Sequence, residues 1–187
     1  MPNQTVPGGN ELLDAGDILK NHLHLTYGSR VADLGCGGIG FFVMQAAQLV
    51  GDNGVVYAVD ILKPVLSNVE TRAKILNLNN IKTIWSDLEK YGATKINNET
   101  LDYAFLINTL FQNNNHTEIL REAIRMLKKS GKLLVIDWQE GRFPIGPPPE
   151  HKIPMNQLVS MAESMGLETE KQFNAGKFHY GVIFTKE

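Results

Sequence analysis

Asp33, Gly35, Gly37, Gly40 and Asp60 are the residues whose types and spacing point first to chemistry. Residues 31–42 read V-A-D-L-G-C-G-G-I-G-F-F, an apolar run entering a glycine-rich loop and an apolar, helix-compatible run leaving it. That strand–loop–helix pattern is how an open α/β sheet cradles a nucleotide-like cofactor. Glycines there let the main chain come close to a ligand where a Cβ would collide. Asp60 closes a second apolar run, 55–59, twenty residues after Gly40, where a carboxylate can accept hydrogen bonds from ribose hydroxyls. Gly35, Gly37 and Gly40 also satisfy G-x-G-x-x-G, the dinucleotide spacing, so on the loop alone an NAD(P)-binding oxidoreductase stays open.

The elements that must position these residues alternate along the chain. The pattern predicts a leading helix over 10–25, broken by Tyr27-Gly28-Ser29, and a first strand over 30–34. After the loop come a helix over 41–50 and a strand over 55–60. Pro64 suits the first turn of a helix that runs to about residue 78, with Leu66, Val69, Ala73 and Leu76 at helical spacing. A strand over 81–85 precedes a loop or short helix over 87–100. Residues 101–107 are nearly unbroken in apolar character, as a central buried strand should be. A helix is expected over 116–128, with Leu120, Ile124 and Leu127 on one face and Ser130-Gly131 ending it. Lys128 and Lys129 then suit the helix C-terminus. A strand over 132–137, a loop over 138–153 with four prolines, and a helix over 154–165 follow. Two extended runs, 167–173 and 177–186, joined by Asn174-Ala175-Gly176, read as an antiparallel hairpin. The sum is a Rossmann-like doubly wound, mostly parallel seven-stranded sheet ending in that hairpin, with the ligand outside the carboxyl ends of the strands.

Length and composition set the frame. A chain of 187 residues is most simply one domain, 1–187, with an N-terminal segment and helix over 1–28 and a cofactor-binding core over 29–187. No segment reaches eighteen uninterrupted apolar residues, which excludes a membrane-spanning helix. Residues 1–10 lack the charged start and apolar stretch of a signal peptide, so the default compartment is the cytoplasm. The net charge of −2 lacks the basic footprint of a nucleic-acid binder. Cys36 is the only cysteine, so an intramolecular disulfide and a cysteine-based zinc site are excluded. A thiol facing a helix N-terminus could react, but a small apolar side chain in a tight loop is the simpler reading. His22 and His24 face different sides and make no plausible metal pair.

Five landmarks in order resemble those of class I S-adenosylmethionine-dependent methyltransferases. They are Asp33-Leu34-Gly35-Cys36-Gly37, Asp60, Ser86-Asp87, Leu101-Asp102-Tyr103-Ala104-Phe105, and Leu127-Lys128-Lys129-Ser130-Gly131-Lys132-Leu133. The resemblance covers about residues 19–186 and is nearest to small enzymes similar to the ubiquinone/menaquinone-biosynthesis methyltransferases. One departure is the third glycine of the loop. The usual position holds Ile39, with glycines at Gly38 and Gly40 instead.

The resemblance implies a site residue by residue. The main chain of Gly35, Cys36 and Gly37 would pass the methionine part of S-adenosyl-L-methionine, with Asp33 orienting the loop or meeting the amino group. Asp60 would grip the ribose hydroxyls and Ile61 would line adenine. Asp87 would accept from the adenine amino group, with Leu88 alongside. Asn108 would be a cofactor or loop contact; both prolines of an N-P-P-F motif are missing from Asn108-Thr109-Leu110-Phe111, which argues against adenine or glutamine amino methylation. A base is needed only for an acceptor that is protonated at neutral pH. The candidates are His151, Asp137 and His179, together with Glu150 and Tyr180, and Trp138 and Phe143 would add an aromatic wall. The expected activity is methyl transfer to a small-molecule acceptor. The alternatives are an NAD(P)-dependent oxidoreductase and a non-catalytic cofactor-binding module.

Overall fold

The computed structural model describes residues 9–187, so residues 1–8 of the expected N-terminal segment lie outside the described residues. Seven strands, β1 (Arg30–Leu34), β2 (Val55–Asp60), β3 (Ile81–Trp85), β4 (Leu101–Ile107), β5 (Leu127–Trp138), β6 (Leu167–Asn174) and β7 (His179–Lys186), form one sheet in the order β3-β2-β1-β4-β5-β7-β6. β1 to β5 run parallel, and β7 and then β6 close the sheet antiparallel. The order reverses at β1, between β2 and β4, and at such a switch point the flanking connections leave a crevice at the carboxyl ends of the strands.

The central strands are apolar on both faces because both faces are covered. In β4, Tyr103, Phe105 and Ile107 pack against the N-terminal segment and α2 (Phe41–Val50), with α3 (Lys63–Ile75) beside them. Ala104 and Leu106 face the opposite layer, made by α4 (His116–Met126) and α5 (Met155–Glu163). Among the described residues no helix is long and apolar enough to cross a membrane.

Four helices depart from the sequence expectation. The leading helix is not continuous. A 3-10 turn over Asn10–Leu12 gives way at extended Leu13, and α1 (Ala15–Asp17) then restarts and loosens into a π-helical turn over Ile18–His22. Asp14 causes the restart, since its side chain accepts a hydrogen bond from Asp17 N–H at 2.9 Å. The second departure is α4, which ends at Met126 instead of at 128, with β5 starting at once. Leu127 pairs with Leu101 ahead of a bulge, so Lys128 and Lys129 lie on the strand and Lys128 forms an ion pair with Asp102 at 2.7 Å. The carbonyls at the end of α4 are satisfied by Lys186 of β7, whose Nζ donates to Ile124 O and Leu127 O. Finally, α3 and α5 stop at Ile75 and Glu163, short of 78 and 165, and past α3 Asn77 turns to φ +54°.

Candidate functional site

The loop after β1 is held open by main-chain bonds to its neighbour strand. Gly35 N–H and Cys36 N–H both donate to Val59 O of β2. Gly35 has φ +84°, and a Cβ there would stand 2.7 Å from Thr109 Oγ1. Thr109 is itself fixed by donating its hydroxyl to Leu34 O at 2.9 Å. No other residue type fits this position, because both the backbone angle and the space demand glycine. Gly37, at φ +69°, turns its N–H to Asp60 Oδ2 at 3.3 Å, while Asp60 Oδ1 accepts from Leu62 N–H at 2.9 Å. Asp60 therefore ties the glycine loop to the start of α3 and is turned inward.

In front of this loop lies a cavity of about 750 Å³. Its walls include Gly35, Gly37, Asp60, Ile61, Asp87 and Leu88. Of the expected cofactor-binding residues these six share one cavity. Asp33 is buried and off the cavity lining, and Cys36 lines a smaller recess with Asn10 and Ile39. Asn108 lies off the cavity lining; its Nδ2 donates to Asn10 Oδ1 at 2.9 Å. Thr109, Gln112 and Asn113 line the cavity and had not been singled out from sequence. Their only signal was position, directly after the fourth strand.

The far wall is tied down by an ion pair. Glu122 is fully buried on α4 and accepts from Arg125 Nε and Nη2, from Gly92 N–H and from Thr94 N–H. Arg125 also donates to Thr94 O and Ile96 O. Burial opposes the charge of Glu122, but Arg125 and the main-chain donors prevail and hold it at about 2. Ser86 and Thr94 join hydroxyls at 2.9 Å, so the 86–96 segment carrying Asp87 and Leu88 is anchored from behind.

Buried titratable groups mark the strand end and the loop. Burial, with Asp60 nearby, lifts Asp33 to about 7, and Asp33 Oδ2 is fully buried without a partner among the described residues. Burial also pushes the Cys36 thiol far up, with Asp33 and Asp60 adding to it, so Cys36 is not an activated nucleophile in this structure.

The ends of β4, β5 and β7 form a second centre. Trp138 on β5 pairs across the sheet with His179 on β7, ring centroids 4.3 Å apart, and both are buried. Phe111 and Phe178 pack against Trp138 at 6.5 and 6.4 Å, and Phe143 packs on Phe178. Asp137 Oδ1 accepts from Trp138 N–H and Oδ2 from Phe111 N–H; burial lifts this carboxyl to about 7 against those donors. Burial lowers His179 to about 4, assisted by Lys152, so its ring is neutral. Lys152 was not anticipated. It is buried, donates to Gly141 O at 2.8 Å, and places Nζ 4.3 Å from the Phe143 ring centroid. Asp137, Trp138, His179 and Phe143 thus lie in one packed cluster. His151 and Glu150 sit on an exposed 3-10 turn, Pro149–His151, without side-chain hydrogen bonds to described residues. Tyr180 donates its hydroxyl to Ile153 O at 3.0 Å, and burial pushes its ionisation far up.

The donor set fits S-adenosylmethionine. The cavity has the size of a cofactor site, roughly 300–1,000 Å³. It offers a carboxylate at a strand end and main chain stripped of Cβ atoms, and the strand that leads into the loop carries a buried carboxylate oxygen with no partner among the described residues.

Comparison with known proteins agrees. The model of one protein family, described as a methyltransferase domain, matches residues 25–181. The ubiquinone/menaquinone biosynthesis C-methyltransferase UbiE of Azotobacter vinelandii is 28% identical over 139 residues, 66% of this chain and 53% of that protein. The chain therefore spans about half the length of that curated relative. A crystal structure of a SAM dependent methyltransferase from Aquifex aeolicus superposes with a TM-score of 0.86 at 27% identity, covering 97% of this chain and 94% of that one. A putative type 11 methyltransferase from Sulfolobus solfataricus shares the fold, with a TM-score of 0.75 at 21% identity and 94% coverage of both chains.

Proposed function

This chain belongs to the methyltransferase-domain family and is an S-adenosylmethionine-dependent methyltransferase domain, and we propose that the protein transfers the methyl group to a small-molecule acceptor at the ends of β4, β5 and β7. The observation that carries the acceptor class is enclosure. Among the described residues Trp138 and His179 are 1% and 0% exposed, which favours an acceptor small enough to enter the fold over a side chain or base presented by a folded macromolecule.

S-adenosylmethionine supplies an electrophilic methyl carbon on a sulfonium. The residues of the chain do the rest. In our reading Asp60 accepts the ribose hydroxyls while holding Gly37, and the unpartnered oxygen of Asp33 receives the amino group. Ile61 and Leu88 flank adenine, Asp87 accepts from its amino group, and Gly35, Cys36 and Gly37 present main chain to the methionine portion. Asn108 stands between this end and the acceptor. Holding the acceptor in line accounts for much of the acceleration, since oriented groups reach effective molarities of about 10⁵–10⁸ M. The closed aromatic wall keeps competing water out.

For an acceptor that carries a proton, Asp137, His179 and His151 are the proton-accepting groups we assign. Asp137 and His179 act from the buried side and His151 from the exposed rim. An unchanged pH–rate profile in His151→Ala would remove His151 from this set.

Two experiments test the reading. Calorimetry should show binding of S-adenosylhomocysteine and none of NAD; the reverse result makes the protein a nicotinamide-dependent oxidoreductase. Methyl release from labelled cofactor across a metabolite panel separates an enzyme from a module that only binds.

A further inference from the structure

Trp85 is a large aromatic residue left on the surface at the end of an edge strand, β3. It is 53% exposed, so burial of its ring gives little reason for its place. Its indole has a definite partner instead: Trp85 Nε1–H donates to Ile61 O at 2.7 Å. The strand register brings the two together. Asp60 and Trp85 are paired at the carboxyl ends of β2 and β3, and one residue further on Ser86 N–H donates to Asp60 O at 3.1 Å. The end of β3 thus grips two successive carbonyls, those of Asp60 and Ile61, where the chain leaves β2 for α3. The first residue of α3 braces the ring, with Lys63 Nζ 5.9 Å from the Trp85 centroid.

The grip matters because of what Ile61 lacks. Its side chain is part of the cavity wall, yet it is 52% exposed, and Leu62 beside it is 58% exposed. Neither packs into the hydrophobic clusters on the two faces of the sheet, so core contacts do not set where they point. The main chain must do so. Isoleucine is branched at Cβ and stiff at χ1, so a fixed backbone carries the side chain with it. Asp60 Oδ1 holds the following N–H, that of Leu62, and Trp85 holds the Ile61 carbonyl between them. Trp85 itself stands outside the lining of the cavity. Resting on the methyltransferase reading above, we propose that Trp85 is a positioning residue for the cofactor. By holding the Ile61 carbonyl it fixes the Ile61 side chain against adenine, and so sets affinity for the adenosine half without touching the ligand.

Calorimetry on the full chain, with S-adenosylhomocysteine and with adenosine, tests this as a double-mutant cycle. Trp85→Phe keeps an aromatic ring and loses the N–H. It should weaken both ligands by the same factor, about five-fold, as the loss of one hydrogen bond implies. Its melting temperature should stay within about 4 °C of wild type, because the site is half exposed. Ile61→Ala should weaken both ligands about five-fold or more through lost apolar contact. In the Ile61→Ala background, Trp85→Phe should then change either affinity by less than about two-fold, since the side chain it positions is gone. A merely structural tryptophan would give the full loss in both backgrounds. Additive losses, wild-type affinity in Trp85→Phe, or a loss confined to S-adenosylhomocysteine with adenosine unaffected would each overturn the proposal. Trp85→Leu, which also lacks the donor, carries the cycle if Trp85→Phe does not fold. Failure of the wild type to bind S-adenosylhomocysteine would count against the cofactor reading, and this proposal would fall with it.

Discussion

Asp33 and Asp137 occupy equivalent places, at or next to the carboxyl ends of β1 and β5, and burial lifts both to about 7. Their surroundings are opposite. Asp33 Oδ2 has no partner among the described residues, and the loop that follows it lines a cavity of about 750 Å³. Asp137 accepts two main-chain N–H groups beneath a closed aromatic cluster. At the cofactor end the loop geometry is finished, with Asp60 bonded to Gly37 and Leu62, and space is left for a ligand. At the acceptor end Asn108 Oδ1, Trp138 Nε1 and both His179 ring nitrogens have no partner among the described residues, and Gly9 fills the space, where a Cβ would stand 2.7 Å from Trp138 Cζ2. The difference teaches that one end leaves a formed cavity beside a bonded glycine loop, whereas the other is packed shut around polar groups without partners among the described residues.

The largest expected effect tests whether the formed cavity depends on its wall. Glu122→Ala leaves Arg125 buried and unpaired, which should cost about 3–5 kcal/mol. For a domain of this size that lowers the melting temperature by about 10 °C. The pH dependence follows from the shift. Glu122 lies at about 2 when folded, below its ordinary 4.5, so its contribution is complete above 4.5 and lost as pH falls toward 2. Wild type and variant should therefore converge in stability in acid. A variant as stable as wild type at neutral pH would mean that the 86–96 wall stands without its anchor.

Asp60→Ala comes next. It removes the acceptor for Gly37 N–H and Leu62 N–H, together with the ribose contact proposed above. Affinity for S-adenosylhomocysteine, read by calorimetry, should fall about 100-fold, or about 3 kcal/mol. A change under about three-fold would break the claim that this end is prebuilt around Asp60.

Substituting the two buried acids sharpens the comparison directly. Each folded-state value, about 7, lies above the ordinary 3.8, so each costs stability as pH rises from 3.8 through 7. Asp33→Asn removes that cost without losing a hydrogen bond, and should stabilise the ligand-free protein by on the order of 1–2 kcal/mol at neutral pH and above. It should also weaken S-adenosylhomocysteine. Asp137→Asn has one carbonyl for two N–H donors, so it should gain nothing. Thermal melts of both variants against pH distinguish them, and equal stabilisation would erase the contrast.

How far the sequence carried can be judged at particular residues. α2, β2, β3 and β4 ended where period and turn residues said they would, because a glycine loop, a proline and unbroken apolar runs are local signals. The end of α4 was misjudged because Lys186, sixty residues downstream, caps its carbonyls, and no local pattern reports that bond. The same divide runs through the site. Gly35, Gly37 and Asp60 were legible because their backbone geometry is written in their own residue types. Lys152 and Gly9 were not, since a lysine after a proline-rich stretch and a glycine near the terminus acquire meaning only from the Trp138 and His179 they meet. Thr109 had a position but no motif.

The smallest effect concerns Cys36, which belongs to the glycine loop yet faces away from the cavity. It is 1% exposed, and its main-chain N–H, not its thiol, makes the bond to Val59 O. Its thiol is held protonated by burial beside Asp33 and Asp60. Cys36→Ala should therefore leave affinity for S-adenosylhomocysteine within about two-fold and cost about 1 kcal/mol of stability through lost packing. Iodoacetamide should leave the native thiol unmodified and label it only after unfolding. Rapid native labelling, or a loss of turnover in Cys36→Ala with cofactor affinity intact, would show that the loop contributes a side chain to the chemistry. In that case the cofactor end could no longer be described as main chain and aspartate alone.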